Sequence, residues 1–192
     1  MPSTETRERL LDVAQDLIQR RGLNAMSFQD LSDSVGIRKA SVHHHFASKA
    51  EMVDALLEGY LSDFEVILSE IVASRASGKN KLKRYCELFV NTLAAGDNDK
   101  GCLCGMLLAE LVSLDDSGRQ KVRGFLESNS TALKKILAAG ATDGTLRLQG
   151  SDQVTARLVL ATLEGGLLVA RCDGGPNHLA DIAARLTQLL SA

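Results

Sequence analysis

Apolar positions recur three and four residues apart along almost the whole chain, which is the period of an α-helix rather than of a strand. Leu10, Ala14, Leu17 and Ile18 line one face of a first helix, and Arg20, Arg21 and Gly22 end it with cations and a glycine. Ser27 followed by Asp30 predicts an N-cap with an acidic first turn. Leu31 and Val35 supply the inner face of that short helix, and Gly36 stops it. Residues 38–45 resume as a second short helix closed by Phe46. Ser48 caps a long helix of about residues 49–74, in which Val53, Leu56, Leu57, Tyr60, Phe64, Ile67, Leu68 and Ile71 form one stripe. Such a helix can bridge two halves of a molecule.

A polar break at residues 77–80 precedes a helix of about 81–95, and a loop at 96–101 leads to helices of about 102–113, 116–139 and 152–172. Gly174, Gly175 and Pro176 introduce the last helix, with Pro176 suited to its first turn. Proline occurs only there and at Pro2, so it interrupts nothing between. "GTLRL" at 144–148 is the one β-like run, and it is short. The expected fold is all-α, with about nine helices. A three-helix helix-turn-helix domain, residues 1–48, is expected to join a C-terminal helical bundle, residues 49–192, through the long helix.

Composition narrows the class. With 45% hydrophobic and 24% charged residues in 192, the chain can bury a core and does not read as disordered. No apolar run approaches the roughly 18 residues of a membrane span, and no secretion signal is apparent. A cytoplasmic location with the four cysteines as thiols is the expectation, with no membrane partner. The formal charge of -2 says nothing for nucleic acid, so any such argument needs a local patch.

"GIRKASVHHHF", residues 36–46, is that patch. Two short helices around Gly36, supported by a preceding helix, are the pattern of a helix-turn-helix whose second member enters a DNA major groove. Small residues suit the meeting with base edges, and cations or hydrogen-bonding groups suit phosphates. Arg38, Lys39, Ala40, Ser41, His43 and His44 meet those needs, while Val42 and Phe46 face inward. Consecutive helical residues point about 100° apart, so His43, His44 and His45 do not converge on one metal. No nucleophile, base and acid stand in a catalytic order, and neither an enzyme nor a cofactor is expected.

"SFQDLSDSVGIRKASVHHHFASKAEM" resembles the DNA-binding segment of the TetR family of bacterial repressors. Gly36, Ser41, His45, Phe46 and Lys49 occupy family positions, and Ser27, Arg38, Ala40 and Val42 replace the usual threonine, serine, glycine and leucine. The resemblance implies DNA contacts by Ser27, Arg38, Lys39, Ala40, Ser41, His43, His44 and Lys49. His43 and His44 stand where the family usually carries two tyrosines, which points to a different operator or to pH-sensitive binding.

"KGCLCGMLLAEL", residues 100–111, resembles a subgroup of these repressors whose sixth helix opens with Gly-Cys and soon carries a glutamate. That subgroup includes repressors answering electrophiles through the cysteine, matched here by Cys102, with Glu110 as the glutamate. A thiol at a helix N-terminus sees the positive end of the dipole, and Lys100 adds to that field. Packing alone also explains a small thiol there, and Cys86 and Cys172 read as core residues. The family implies a small-molecule effector among the middle helices, and Phe89, Met106, Phe125 and Glu164 are candidate pocket residues beside Cys102.

Gly165 and Gly166 lie inside a helical run, which weakens it unless close packing compensates. In the family the last two helices of each subunit meet those of a partner. Leu163, Gly165, Gly166, Leu167, Ala170, Ile182, Leu186 and Leu189 are the expected homodimer surface. The expected function is a TetR-like regulator, a repressor that binds a palindromic operator as a dimer and is released by a small molecule or electrophile. The alternative is a helical ligand-binding or protein-interaction module without operator recognition.

Overall fold

The computed structural model describes residues 4–192. Pro2 and the start of the expected 1–48 domain lie outside the described residues. Nine α-helices follow one another among them: α1 (Thr4–Arg21), α2 (Phe28–Val35), α3 (Lys39–His45), α4 (Lys49–Ala73), α5 (Gly78–Ala94), α6 (Leu103–Ala109), α7 (Asp116–Thr142), α8 (Asp152–Cys172) and α9 (Gly175–Leu189). A single 3-10 turn, Leu111–Ser113, joins α6 to α7.

Local chemistry explains most boundaries. Ser27 and Asp30 form a reciprocal capping box at the start of α2. Gly36 ends α2 in the left-handed conformation, φ 77°, and donates its N–H to the Ser32 carbonyl. The Ser48 hydroxyl accepts the Glu51 N–H, and Glu51 accepts that of Ala47. Helix α5 starts at Gly78 rather than near 81, because Ser77 caps it and the Asp143 carboxylate accepts the Gly78 N–H at 2.8 Å. Gly78 also lies so near Gly140 that a Cβ would stand 2.1 Å from its Cα. Helix α6 stops at Ala109, short of the expected 113, where Glu110 leaves helical geometry and the chain tightens into the 3-10 turn. Residues 144–148 form no strand, only an isolated antiparallel bridge between Leu146 and Ser191.

The chain divides into two compact units. The first runs to Ser62 and adds Leu103–Gly124, so it extends past the 48/49 border expected from sequence. The first half of α4 falls in this unit, and its Met52, Val53, Leu56 and Leu57 are buried, as are Leu10, Ala14, Ile18, Leu31, Val42 and Phe46 of α1 to α3 and the residue that follows. The second unit comprises Asp63–Cys102 and Phe125–Ala192. Its core gathers Leu68, Tyr85, Phe89, Leu133, Ile136, Leu163, Leu167 and Leu179 from α4, α5, α7, α8 and α9. By length and composition α8 alone among the described residues is apolar enough to cross a membrane, and its inner face belongs to this core.

Candidate nucleic-acid interface and effector cluster

Helix α3 is anchored by two residues. Val42 and Phe46 are fully buried, and the Arg7 guanidinium lies 5.0 Å from the centre of the Phe46 ring. Lys39, Ala40, Ser41, His43 and His44 of the helix are exposed, as is Arg38 just before it, and His45 is half-buried. One side of the His43 ring rests edge-on against Phe28, with centroids 4.9 Å apart. Ser27 is exposed too, but its hydroxyl donates to Asp30 at 2.6 Å, and its first task is the cap.

Lys49 departs from expectation. It is half-buried, and its ammonium donates to the Leu23 carbonyl at 2.8 Å, tying the first turn of α4 to the α1–α2 turn. Burial lowers its pKa, opposed by the nearby charges of Glu110 and Asp30. The Asp30 carboxyl is held down at about 2, chiefly by the Ser27 hydroxyl, then by the Ser27 amide, with Arg21 paired to it at 2.9 Å. On the same turn, Glu110 accepts the Leu23 N–H at 2.5 Å and the Asn24 N–H at 3.2 Å. Gly22 turns there with φ 88°, and a Cβ on it would stand 2.9 Å from Glu110 Oε1.

The second unit buries a polar group of its own. The Tyr85 hydroxyl donates to Asn129 Oδ1 at 2.6 Å, and Asn129 Nδ2 donates to the Phe125 carbonyl at 2.8 Å. Cys102 is buried, and its thiol hydrogen-bonds to the Glu164 carboxyl, whose Oε1 is buried with no hydrogen-bond partner among the described residues. Burial pushes the Glu164 pKa up, and the Cys102 hydrogen bond opposes it. Tyr85 is raised well above its usual range by burial first and then by Glu164, Cys86 and Cys102. Burial likewise pushes the Cys86 thiol up to about 12.

Phe89 and Phe125 are core side chains packed on Tyr85 and Phe64 respectively. Met106 is a half-buried residue of the first unit. A groove of about 550 Å³ lies elsewhere, between α5 and α9, lined by Lys79, Lys83, Cys86, Val90, Ala183 and Thr187 among others. A smaller pocket of about 170 Å³ lies between α4 and α7. Neither is walled by Phe89, Cys102, Met106, Phe125 or Glu164.

The expected dimer residues divide. Leu163, Gly166, Leu167, Ala170 and Leu186 are buried inside the protomer, Gly166 because Leu179 and Ile182 of α9 close on it at 3.2 and 3.3 Å. Ile182 is half-buried against Gly166, whereas Gly165 and Leu189 are exposed. The apolar residues that α8 leaves outside are Val154, Leu158, Ala161, Leu168 and Val169. Cys172, expected in the core, is exposed at the end of α8.

Residues 10–56 match the family model of bacterial regulatory proteins, tetR family, and residues 78–186 match that of the tetracyclin repressor-like C-terminal domain. The chain belongs to the TetR family. It is a DNA-binding transcriptional regulator by that membership. It is 43% identical over 149 residues to the HTH-type transcriptional repressor KstR2 of Rhodococcus jostii, covering 73% of this chain and 68% of that protein. A TetR-family regulator from Agrobacterium tumefaciens superposes with a TM-score of 0.91 at 30% identity, over 98% of both chains. The reduced form of NemR from Escherichia coli shares the fold at 23% identity, with a TM-score of 0.82 over 98% of this chain and 97% of that one.

Within this TetR-family frame, sequence reasoning missed two features. Glu110 was matched to a family glutamate without a task, because its partners are backbone amides 86 and 87 residues away and leave no side-chain signature. Tyr85 and Asn129 escaped notice for a similar reason, since an apolar stripe hides a hydroxyl whose acceptor lies 44 residues away.

Proposed function

We propose that this protein is a homodimeric repressor that reads a palindromic operator through α3 and is released by a small molecule or electrophile acting on its C-terminal half. The carrying observation is the posture of α3: Val42 and Phe46 hold it from beneath while Arg38, Lys39, Ala40, Ser41, His43 and His44 are exposed, His43 with one side of its ring against Phe28. Cations and hydroxyls there suit phosphates, and the small Ala40 admits close approach to base edges. Two such helices related by a two-fold axis would fit successive major grooves, about 34 to 36 Å apart. The apolar outer stripe of α8 supports association of two copies.

For release, the Cys102–Glu164 pair supports an electrophile. The Cys102 sulfur adds to a ring carbon of a quinone while the thiol proton passes to the Glu164 carboxylate. One quinone oxygen takes a proton from solvent, and the hydrogen on the attacked carbon is lost as a proton that is replaced on the other oxygen, which restores the ring as the thioether-substituted hydroquinone. Intact-mass measurement and operator release by benzoquinone, compared between the wild type and Cys102→Ser, test that step. Unchanged release in the variant removes Cys102 from the mechanism.

Selection of duplexes from random-sequence DNA by the purified chain tests the whole reading. Enrichment of a two-fold symmetric sequence, lost in Lys39→Glu, is the expected result. No enrichment would leave the alternative, a helical ligand-binding or protein-interaction module.

A further inference from the structure

We propose that Glu110 is a positioning residue for DNA reading: its carboxylate latches the α1–α2 turn and so holds α2 and α3 in the posture that enters the groove. This rests on the DNA-binding function above and concerns its regulation. Among the described contacts of the turn, both oxygens of Glu110 are engaged. Oε2 accepts from the Leu23 N–H at 2.5 Å and from the Asn24 N–H at 3.2 Å, and Oε1 stands 3.3 Å from the Asn24 nitrogen. Gly22 makes the approach possible twice over, by its left-handed φ of 88° and by lacking a Cβ that would meet Oε1 at 2.9 Å.

The backbone of Leu23 is held at both its amide and its carbonyl. Glu110, just beyond the end of α6, takes the N–H, and Lys49, the first residue of α4, donates to the carbonyl at 2.8 Å. Three residues on, the buried Met26 leads into Ser27, the cap of α2, whose Asp30 is itself paired with Arg21 at the end of α1. The entry angle of α2 therefore depends on where residues 22–24 are held, and α3 packs on α2 with only seven residues of its own.

This contact is also built to open. Asn24 is exposed, so its amide would find water on release, whereas Leu23 is buried and its N–H, the shorter of the two contacts, must find a new partner as the turn moves. A displacement of α6 withdraws the carboxylate and frees the turn. Covalent continuity supplies a source of such a displacement, because α6 starts one residue after Cys102.

The test uses the full chain and the duplex that the wild type selects. Glu110→Ala should lose hydrogen-exchange protection at the Leu23 and Asn24 amides and bind that duplex about tenfold more weakly. The slope of affinity against salt should not change, because no phosphate contact is removed. Glu110→Gln should recover part of both losses, since its amide oxygen still accepts one N–H. If Glu110→Ala fails to fold, Glu110→Gln decides the matter by an intermediate affinity with an unchanged slope. Wild-type affinity in either variant that has lost amide protection overturns the latch while leaving the DNA-binding function standing. A wild-type chain that selects no sequence overturns both.

Discussion

The Lys49 ammonium donates to the Leu23 carbonyl at 2.8 Å, across 26 residues of chain. A cation so engaged is a structural tie first and a phosphate anchor second. Lys49→Met keeps the packed stem and deletes the donor, and should cost about 1 kcal/mol of stability by thermal unfolding. In a salt titration of operator binding the slope should stay as it is, whereas Lys39→Met should reduce it by about one. A reduced slope in Lys49→Met would mean that the ammonium leaves Leu23 for a phosphate when DNA binds.

The capping box of α2 predicts acid sensitivity of the helix-turn-helix. Asp30 is depressed from 3.8 to about 2, so its contribution is complete above 3.8 and is lost as the pH falls towards about 2. The thermal midpoint of the wild type should therefore drop over that window by more than that of Asp30→Ala. Asp30→Ala should be the less stable protein at pH 5, and the gap between the two should close near pH 2. A gap that stays constant would show that the carboxylate charge is not what stabilises the cap.

How much of this was legible in the sequence depended on the distance over which each residue acts. The Ser27 cap with its acidic Asp30, the helix stop at Gly36 and the first-turn Pro176 work within a few residues, and the structure has all three where the pattern put them, adding that Asp30 closes a capping box and that Gly36 is left-handed. The start of α5 was read three residues late because part of its cap, Asp143, comes from 65 residues away. Cys102 and Glu164 were each singled out, but nothing in their spacing pairs them. On α8 apolar residues occupy two faces. Periodicity identifies the helix without saying which face α9 takes, so Leu163, Leu167 and Ala170 were assigned to a partner when their own chain covers them.

Glu164 should be a burden to the fold at neutral pH. Burial raises its pKa, so the folded protein holds the proton more tightly than the unfolded chain. The sign follows from proton linkage: stability is fullest below the unfolded value and falls as the pH rises through the folded one. Glu164→Gln removes the charge while keeping the shape, and should raise the thermal midpoint at pH 8 with a smaller gain at pH 4. Each 1 kcal/mol recovered corresponds to about 2 to 4 °C for a chain of this size. The same variant has no carboxylate to receive the Cys102 proton, so benzoquinone addition should slow. A lower midpoint at pH 8 would show that the buried carboxylate is compensated by a partner that the Cys102 hydrogen bond does not reveal.

The outer stripe of α8 predicts where two copies meet. Val154, Leu158, Ala161, Leu168 and Val169 recur at helical spacing on the side away from α9, and Gly165 has open space where a Cβ would go. Leu158→Asp puts a charge in the middle of that stripe without touching the protomer core, so the folded chain should persist while sedimentation gives half the mass. Operator affinity should fall at least tenfold, because each reading head would bind its half-site alone. Gly165→Ala separates the two levels of structure. Within one chain the methyl meets nothing and improves helix propensity by about 1 kcal/mol, yet between two close-packed α8 helices the same methyl is an obstruction. A variant whose monomer is more stable but whose dimer dissociates more readily places the contact at Gly165; a dimer untouched by both changes places it on another face.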